Sequence, residues 1–240
     1  MYIFTLFLYN GIEVIFMLAN RLTVLLAERG LSIKEVVEAT GISRNTISNL
    51  SNNPTGNINT ETTDILCNYL QVTPNEFFEY SPFLLSFYDY TKNINDVSYH
   101  ISELYKNIYS SLEKCMAIKS KQGDQEYMYS FEGVFSNSDD GDDTYTRADK
   151  YNLYISLFTN DDFGTEVYSK LSIRFKKQTI NALSKIVENL IRNVVLKSDK
   201  PPFDTLKSMD QFSVAIRYSF LNIEPIMASK VFDNSKMKFK

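Results

Sequence analysis

Along the first third of the chain the hydrophobic positions recur every three or four residues, and in much of the second half they recur every two. The first spacing predicts helices and the second predicts strands. Leu22, Leu25 and Leu26 mark a helix over residues 20–29. Ser32 is a natural N-cap with Glu35 three residues on, so a capping box opens a second helix whose inward face is Val36, Val37 and Thr40. Gly41 supplies the left-handed backbone that closes it, Ile42 plugs the corner, and Ser43 caps a third helix that turns Ile47 and Leu50 inward. Residues 60–70, with Ile65, Leu66 and Tyr69 inward, read as a fourth helix, and 73–80 as a capped fifth. Five helices between residues 17 and 80 are enough for one small domain.

Ser81-Pro82 punctuates a boundary, and the apolar run Phe83-Leu84-Leu85-Ser86-Phe87-Tyr88 predicts a packed segment rather than a free linker. From Ile94, the positions Val97, Ile101, Leu104, Ile108, Leu112, Cys115 and Met116 step by three and four, which predicts a long amphipathic helix. Such a helix serves either as a dimer seam or as a cover for its own domain's sheet. The period then changes to two. Tyr127, Tyr129, Phe131 and Phe135 form one set, Tyr151, Leu153, Ile155 and Leu157 a second, and Val167, Leu171, Ile173 and Phe175 a third, predicting a three-stranded meander. Residues 136–144 and 159–164 are its turns. Ile180, Leu183, Ile186, Val187, Leu190, Ile191 and Val194 predict a helix, Pro201-Pro202 breaks the chain, and Phe212, Val214, Ile216, Tyr218 and Phe220 predict a fourth strand. The fold class is therefore α+β: an all-α domain at 17–80, then a domain at 81–240 with an antiparallel sheet flanked by helices. Residues 1–16 form an N-terminal extension.

The run Gly41-Ile42-Ser43-Arg44-Asn45-Thr46-Ile47-Ser48, set between two capped helices in a five-helix framework, resembles the Cro/CI-type helix-turn-helix regulators, also called the XRE family. That resemblance implies a DNA-reading third helix, with Ser43 capping it and touching phosphate. Arg44 suits guanine and Asn45 adenine, and Asn49 extends the contact one turn on. Thr46 and Ser48 on the same helix, Asn52 and Asn53 with Gly56 and Asn57 after it, and Lys34 on the preceding helix complete the DNA-binding set. Ile33 stands where the family commonly has glutamine, Val37 where it has a small alanine, and Ser51 where it often has glutamate. The implied partners are a double-stranded DNA operator and a second copy of the chain. The implied function is that of a cytoplasmic transcriptional regulator, a repressor acting as a dimer. The rival is a non-DNA-binding interaction module on the same fold, such as an antirepressor, antitoxin or adaptor.

Charge alters that picture. Between residues 17 and 80 the bases are Arg21, Arg29, Lys34 and Arg44, against Glu28, Glu35, Glu38, Glu61, Asp64, Glu76 and Glu79. Four against seven cannot supply much affinity through counterion release, so non-specific binding is expected to be weak and specific binding to lean on backbone amides and neutral polar groups. The whole chain, 240 residues at net −4, shows no nucleic-acid coat or membrane-binding face. Cys67 and Cys115 are expected as buried thiols rather than a disulfide. The apolar start, Tyr2 to Tyr9, is too short and interrupted for a membrane span and lacks a signal-peptide pattern. Glu13-Val14 can be encoded by a ribosome-binding sequence, so one expectation is that translation begins at Met17, and another is that the extension packs on the protein.

Enzymatic chemistry finds little support. His100 is the single histidine, which excludes a two-histidine zinc site within the chain, and there is neither a phosphate-binding glycine loop nor a Gly-x-Ser-x-Gly elbow. The Ala-Gly or Cys-Gly bond cut in self-cleaving phage repressors is missing. An EF-hand placed on the acidic stretch from Asn137 would put Gly141 at a ligand position and Ala148 at the last, so no metal and no cofactor is expected. The aromatic residues of 81–240 leave room for a small-molecule, peptide or protein effector, or serve as core.

Overall fold

The computed structural model describes residues 11–15, 18–91, 98–102, 107–136, 151–199 and 203–240. The chain divides into two compact units, one of residues 16–84 and one of the residues from Leu85 onward together with those before Phe16.

Strand β1 (Gly11–Ile15) belongs to the second unit. The first unit consists of β2 (Leu18–Asn20), α1 (Leu22–Arg29), α2 (Ile33–Thr40), α3 (Arg44–Asn52), α4 (Thr60–Leu70), the single turn α5 (Pro74–Phe77) and β3 (Phe78–Tyr80). The helices converge on one core of Leu22, Leu25, Leu26, Val36, Ile47, Leu50, Leu66, Cys67, Leu70 and Phe77. Burial of such side chains stabilises by about 1.5–3 kcal/mol each before chain entropy is set against it. Two expectations are corrected here. Asn20 belongs to a strand and not to the first helix, and the fifth helix ends after one turn. Phe78 takes extended backbone, and Phe78-Glu79-Tyr80 pair antiparallel with Asn20, Ala19 and Leu18. Aromatic residues suit this strand better than another helical turn. On α4 the fully buried face is Leu66, Cys67 and Leu70, with Ile65 and Tyr69 half-buried.

The second unit is built on a curled, mixed sheet. It contains β1, β4 (Leu84–Asp89), β5 (Ser98–Ser102), β6 (Asn107–Gln122), β7 (Gln125–Ser136), β8 (Leu153–Thr159), β9 (Gln211–Phe220), β10 (Ile226–Asp233) and β11 (Lys238–Phe239). The order is β1-β4-β6-β7-β8-β9-β10-β11, with β5 also on β6. The short α6 (Phe163–Glu166) and the long α7 (Ile173–Asn193) connect β8 to β9. Because that connection carries a helix, β8 and β9 run parallel, which corrects the expected all-antiparallel sheet. α7 lies over one face of the sheet. Its Ser184 hydroxyl meets the Tyr218 hydroxyl at 2.8 Å, Asn189 donates to Asp89, and Glu188 accepts from the Phe239 amide. Leu153, Ile155, Leu157, Val214, Ile216 and Tyr218 are buried on this side, as the period-two pattern predicts.

The predicted helix from Ile94 to Met116 is not formed: residues 98–102 and 107–122 are strands, while 92–97 and 103–106 lie outside the described residues. Between Leu112 and Met116 the register slips, so that four residues on β6 span the two from Gly133 to Phe131 on β7. This bulge accounts for the last step of four in that pattern, from Leu112 to Met116. The two-residue loop Gly123-Asp124, with φ of 60° at Gly123, closes the hairpin. With the helix goes the proposed helical dimer seam.

The third predicted strand is likewise replaced. Phe163, Val167, Leu171 and Phe175 are buried at intervals of four, whereas Ile173 is 88% exposed at the start of α7. Phe163 sits among Tyr129, Phe131, Tyr168 and Phe220, and this aromatic cluster holds the short helical turns against the sheet. β10 and β11 carry no strong alternation and were not expected. The acidic stretch 137–150 and Pro201-Pro202 lie outside the described residues. β1 pairs antiparallel with β4, Ile15 opposite Leu85. A chain beginning at Met17 would leave that edge of β4 unpaired.

Candidate nucleic-acid interface

Three local devices set α3. Ser32 Oγ accepts from the Glu35 amide while the Glu35 carboxylate accepts from the Ser32 amide at 2.7 Å, so the expected capping box opens α2. Gly41 closes it with φ of 71°, the left-handed conformation that only glycine adopts without strain, and donates to the Val37 carbonyl. Thr40 bonds the Val36 carbonyl and accepts from the Ile42 amide, which fixes the corner between the helices. Ser43 then caps α3, accepting from the Thr46 amide at 3.2 Å with its hydroxyl 2.9 Å from that of Thr46.

With Ile47 and Leu50 buried, the opposite side of α3 is fixed by helical geometry. At 100° per residue, Asn45, Asn49 and Asn52 share an arc of about 60° facing away from the core. All three are exposed. Arg44 flanks this line at the first position of the helix, and Ser48 is half-buried beside it. The side chains of Arg44, Asn45, Ser48, Asn49 and Asn52 have no partner among the described residues. Donors and acceptors suited to base edges are thus left open along one helix face. Asn52 is the last residue of α3 rather than part of the loop, and Asn53 ends the helix. Asn53 accepts from Gly56 N–H and the Thr55 hydroxyl, so its oxygens are already used within the turn.

The charges of this unit are distributed unevenly. From Gly41 to Thr60 the single charged side chain is Arg44. The seven acids lie on α1, α2, α4, α5 and β3. Glu28 pairs with Arg21 and Arg29, and Glu38 with Lys34, at 3.7–3.8 Å on the surface. Ser32 and Thr73, through backbone and side-chain hydrogen bonds, hold the Glu35 and Glu76 carboxyls below the usual range. Arg44 carries no ion pair among the described residues. It stands at the positive end of the α3 dipole, where a cation is disfavoured until an anion joins it. Lys34, by contrast, sits on α2 with its charge offset by Glu38.

Asn20 and Thr23 are functional in positioning and were missed from the sequence. Asn20 is 2% exposed; its Nδ2 donates to the Leu50 and Pro54 carbonyls, its Oδ1 accepts from the Leu22 amide, and all three bonds measure 3.1 Å. Thr23 donates to the Ser51 carbonyl. These bonds tie the start of α1 to the end of α3. An asparagine two residues before an apolar-periodic run was the available signal.

Among the described residues, no cluster of His, Cys, Asp and Glu is placed to hold a metal ion, and no helix is long and apolar enough to cross a membrane. Burial, with Asp64 nearby, pushes the Cys67 thiol up, away from the reactive thiolate.

Residues 21–82 match the family model of the Cro/C1-type HTH DNA-binding domain. No curated protein and no solved structure matches the chain. The matched segment covers all five helices and contains every residue of the α3 face. Its type is a regulatory DNA-binding domain and not an enzymatic one.

Proposed function

We propose that this DNA-binding regulator, built on a Cro/C1-type helix-turn-helix domain, is a cytoplasmic repressor that binds a double-stranded operator as a homodimer. The observation that carries the proposal is the α3 face, where Arg44 and the line Asn45, Asn49 and Asn52 are exposed and unpartnered in a stretch without acids. Arg44 reads a guanine, Asn45 and Asn49 read bases along the groove, and Ser43 with the first amides of α3 anchors a phosphate. Asn52 ends the same line, and Thr46, Ser48, Asn53 and Lys34 line the flanks of the contact. The acidic balance of the unit makes sequence-independent binding weak, and two half-sites bound together restore affinity through effective concentration.

The same acidic balance favours a second reading, an interaction module that has kept the fold without the DNA. Selection of bound duplexes from random DNA, followed by gel shift over a salt series and sedimentation of the complex, separates the two. An enriched palindrome bound by two copies supports the repressor. No enrichment at low salt supports the interaction module.

A further inference from the structure

On the face of β7–β10 turned away from α7, strand register aligns Val134, Ser156, Arg217 and Met227 in one row across four strands. A cleft of about 470 Å³ opens over this row, within the range of small-molecule sites. Its floor is small and polar, with Ser156 and Ser219 beside Arg217, and its sides are Tyr154, Phe158 and Met227.

Arg217 is half-buried and has neither ion pair nor hydrogen bond among the described residues. The carboxylates near it on this face do not supply one. Glu132 stands opposite Phe158, two strands over and one row along, and Asp161 is engaged by the Ser130 amide at 2.8 Å. A guanidinium withdrawn from water without a counter-charge is costly, and the bond that best offsets the cost is charge-assisted, from a carboxylate or a phosphate. A second copy stacked on this face about a two-fold axis through the cleft would set Arg217 against Arg217.

We propose that the cleft binds a small anion, a carboxylate or phosphate on an aromatic or aliphatic body. Arg217 is its charge partner, the Ser156 and Ser219 hydroxyls add donors, and Tyr154, Phe158 and Met227 pack on the body. Use of this site by an effector rests on the regulator reading, but binding itself does not.

The test titrates the full chain with benzoate, phenyl phosphate and neutral benzamide, by calorimetry and ligand-observed NMR. At least one anion is expected to saturate while benzamide does not, and the preferred anion separates carboxylate from phosphate. Arg217→Gln is expected to weaken binding about tenfold or more. Ser156→Asp sets a carboxylate beside Arg217 in register, and is expected to abolish binding with the circular dichroism spectrum unchanged; it decides the matter if Arg217→Gln does not fold. Several results would overturn the proposal: no saturable binding of either anion, equal binding by benzamide or by Ser156→Asp, or a change of sedimenting mass in Arg217→Gln without anion binding, which would assign the face to a second copy. DNA selection on the same protein without the anions is read separately, so either reading can fail alone.

Discussion

Removing the Asn20 amide should loosen α3 without touching any residue on its exposed face. In Asn20→Ala the Leu50 carbonyl and the Leu22 amide lose their side-chain partner, and the Pro54 carbonyl loses the second of its two bonds while keeping the one from the Asn20 backbone amide, in a site where Asn20 is 2% exposed. At 0.5–1.5 kcal/mol net for each of the three bonds, the loss sums to about 1.5–4.5 kcal/mol. That is a large fraction of the roughly 5–15 kcal/mol that holds a small domain folded. Asn20→Asp keeps the shape but turns a buried carboxylate toward two carbonyl oxygens, and should cost about 3–5 kcal/mol at neutral pH. Hydrogen exchange read by mass spectrometry on the full chain reports the two units separately. Peptides from α1 and α3 should exchange roughly 10- to 1,600-fold faster in Asn20→Ala, since about 1.4 kcal/mol corresponds to a factor of ten. Peptides from β9 should not change. If Asn20→Ala leaves α3 as protected as in the parent, or if Asn20→Asp is the milder of the two, the clamp does not hold the helix.

Arg44→Ala should weaken operator binding by about 1–3 kcal/mol and relax preference at one base position, while melting stays within about 0.5 kcal/mol of the parent; a binding selection and a thermal scan check both. Glu35 and Glu76 titrate below the ordinary 4.5 in the folded protein, so their capping boxes stabilise above that pH and are lost as pH falls through the lowered values. The Ser32 and Thr73 amides should shift in acid NMR titrations, and Glu35→Gln should remove the shift at Ser32. Burial pushes Tyr218 from 10.0 up to about 12, so its contribution is whole below pH 10 and is lost as pH rises toward 12. Absorbance at 295 nm should show a late-titrating tyrosine component that shrinks by one residue in Tyr218→Phe, which also loses about 0.5–1.5 kcal/mol. Gly164→Ala, in a helix where alanine is normally favoured, should instead destabilise by about 1–3 kcal/mol, because its Cβ would lie 2.7 Å from the Leu221 carbonyl oxygen; urea denaturation gives the sign.

The first unit was legible because its signals are local. Ser32 with Glu35, Gly41 and Ser43 each determine the backbone within three residues, and the caps form as expected. What escaped was long-range: Asn20 acts on residues thirty and more positions away, and the β2–β3 ribbon joins the two ends of the unit. In the second unit, β8 and β9 were visible through strict alternation of Leu153, Ile155 and Leu157, and of Val214, Ile216 and Tyr218. β6 was not, because its apolar residues step by three and four and the last of those steps crosses the bulge between Leu112 and Met116. The mixed sheet also hides in the sequence, since the direction of β9 follows from where α7 delivers the chain. Of the candidate site, the third helix and its outward residues were readable from spacing. The isolation of Arg44 from the unit's acids became visible only once each acid had a place.

The pairing of Ile15 with Leu85 makes the entire DNA-binding unit the loop of a hairpin. Its two ends are anchored on neighbouring strands, about 5 Å apart. A protein with its reading head at one terminus hangs it from a single covalent thread, which any one cut releases and around which it can spin. Here the chain enters and leaves the unit by two covalent connections, and one cut leaves it attached.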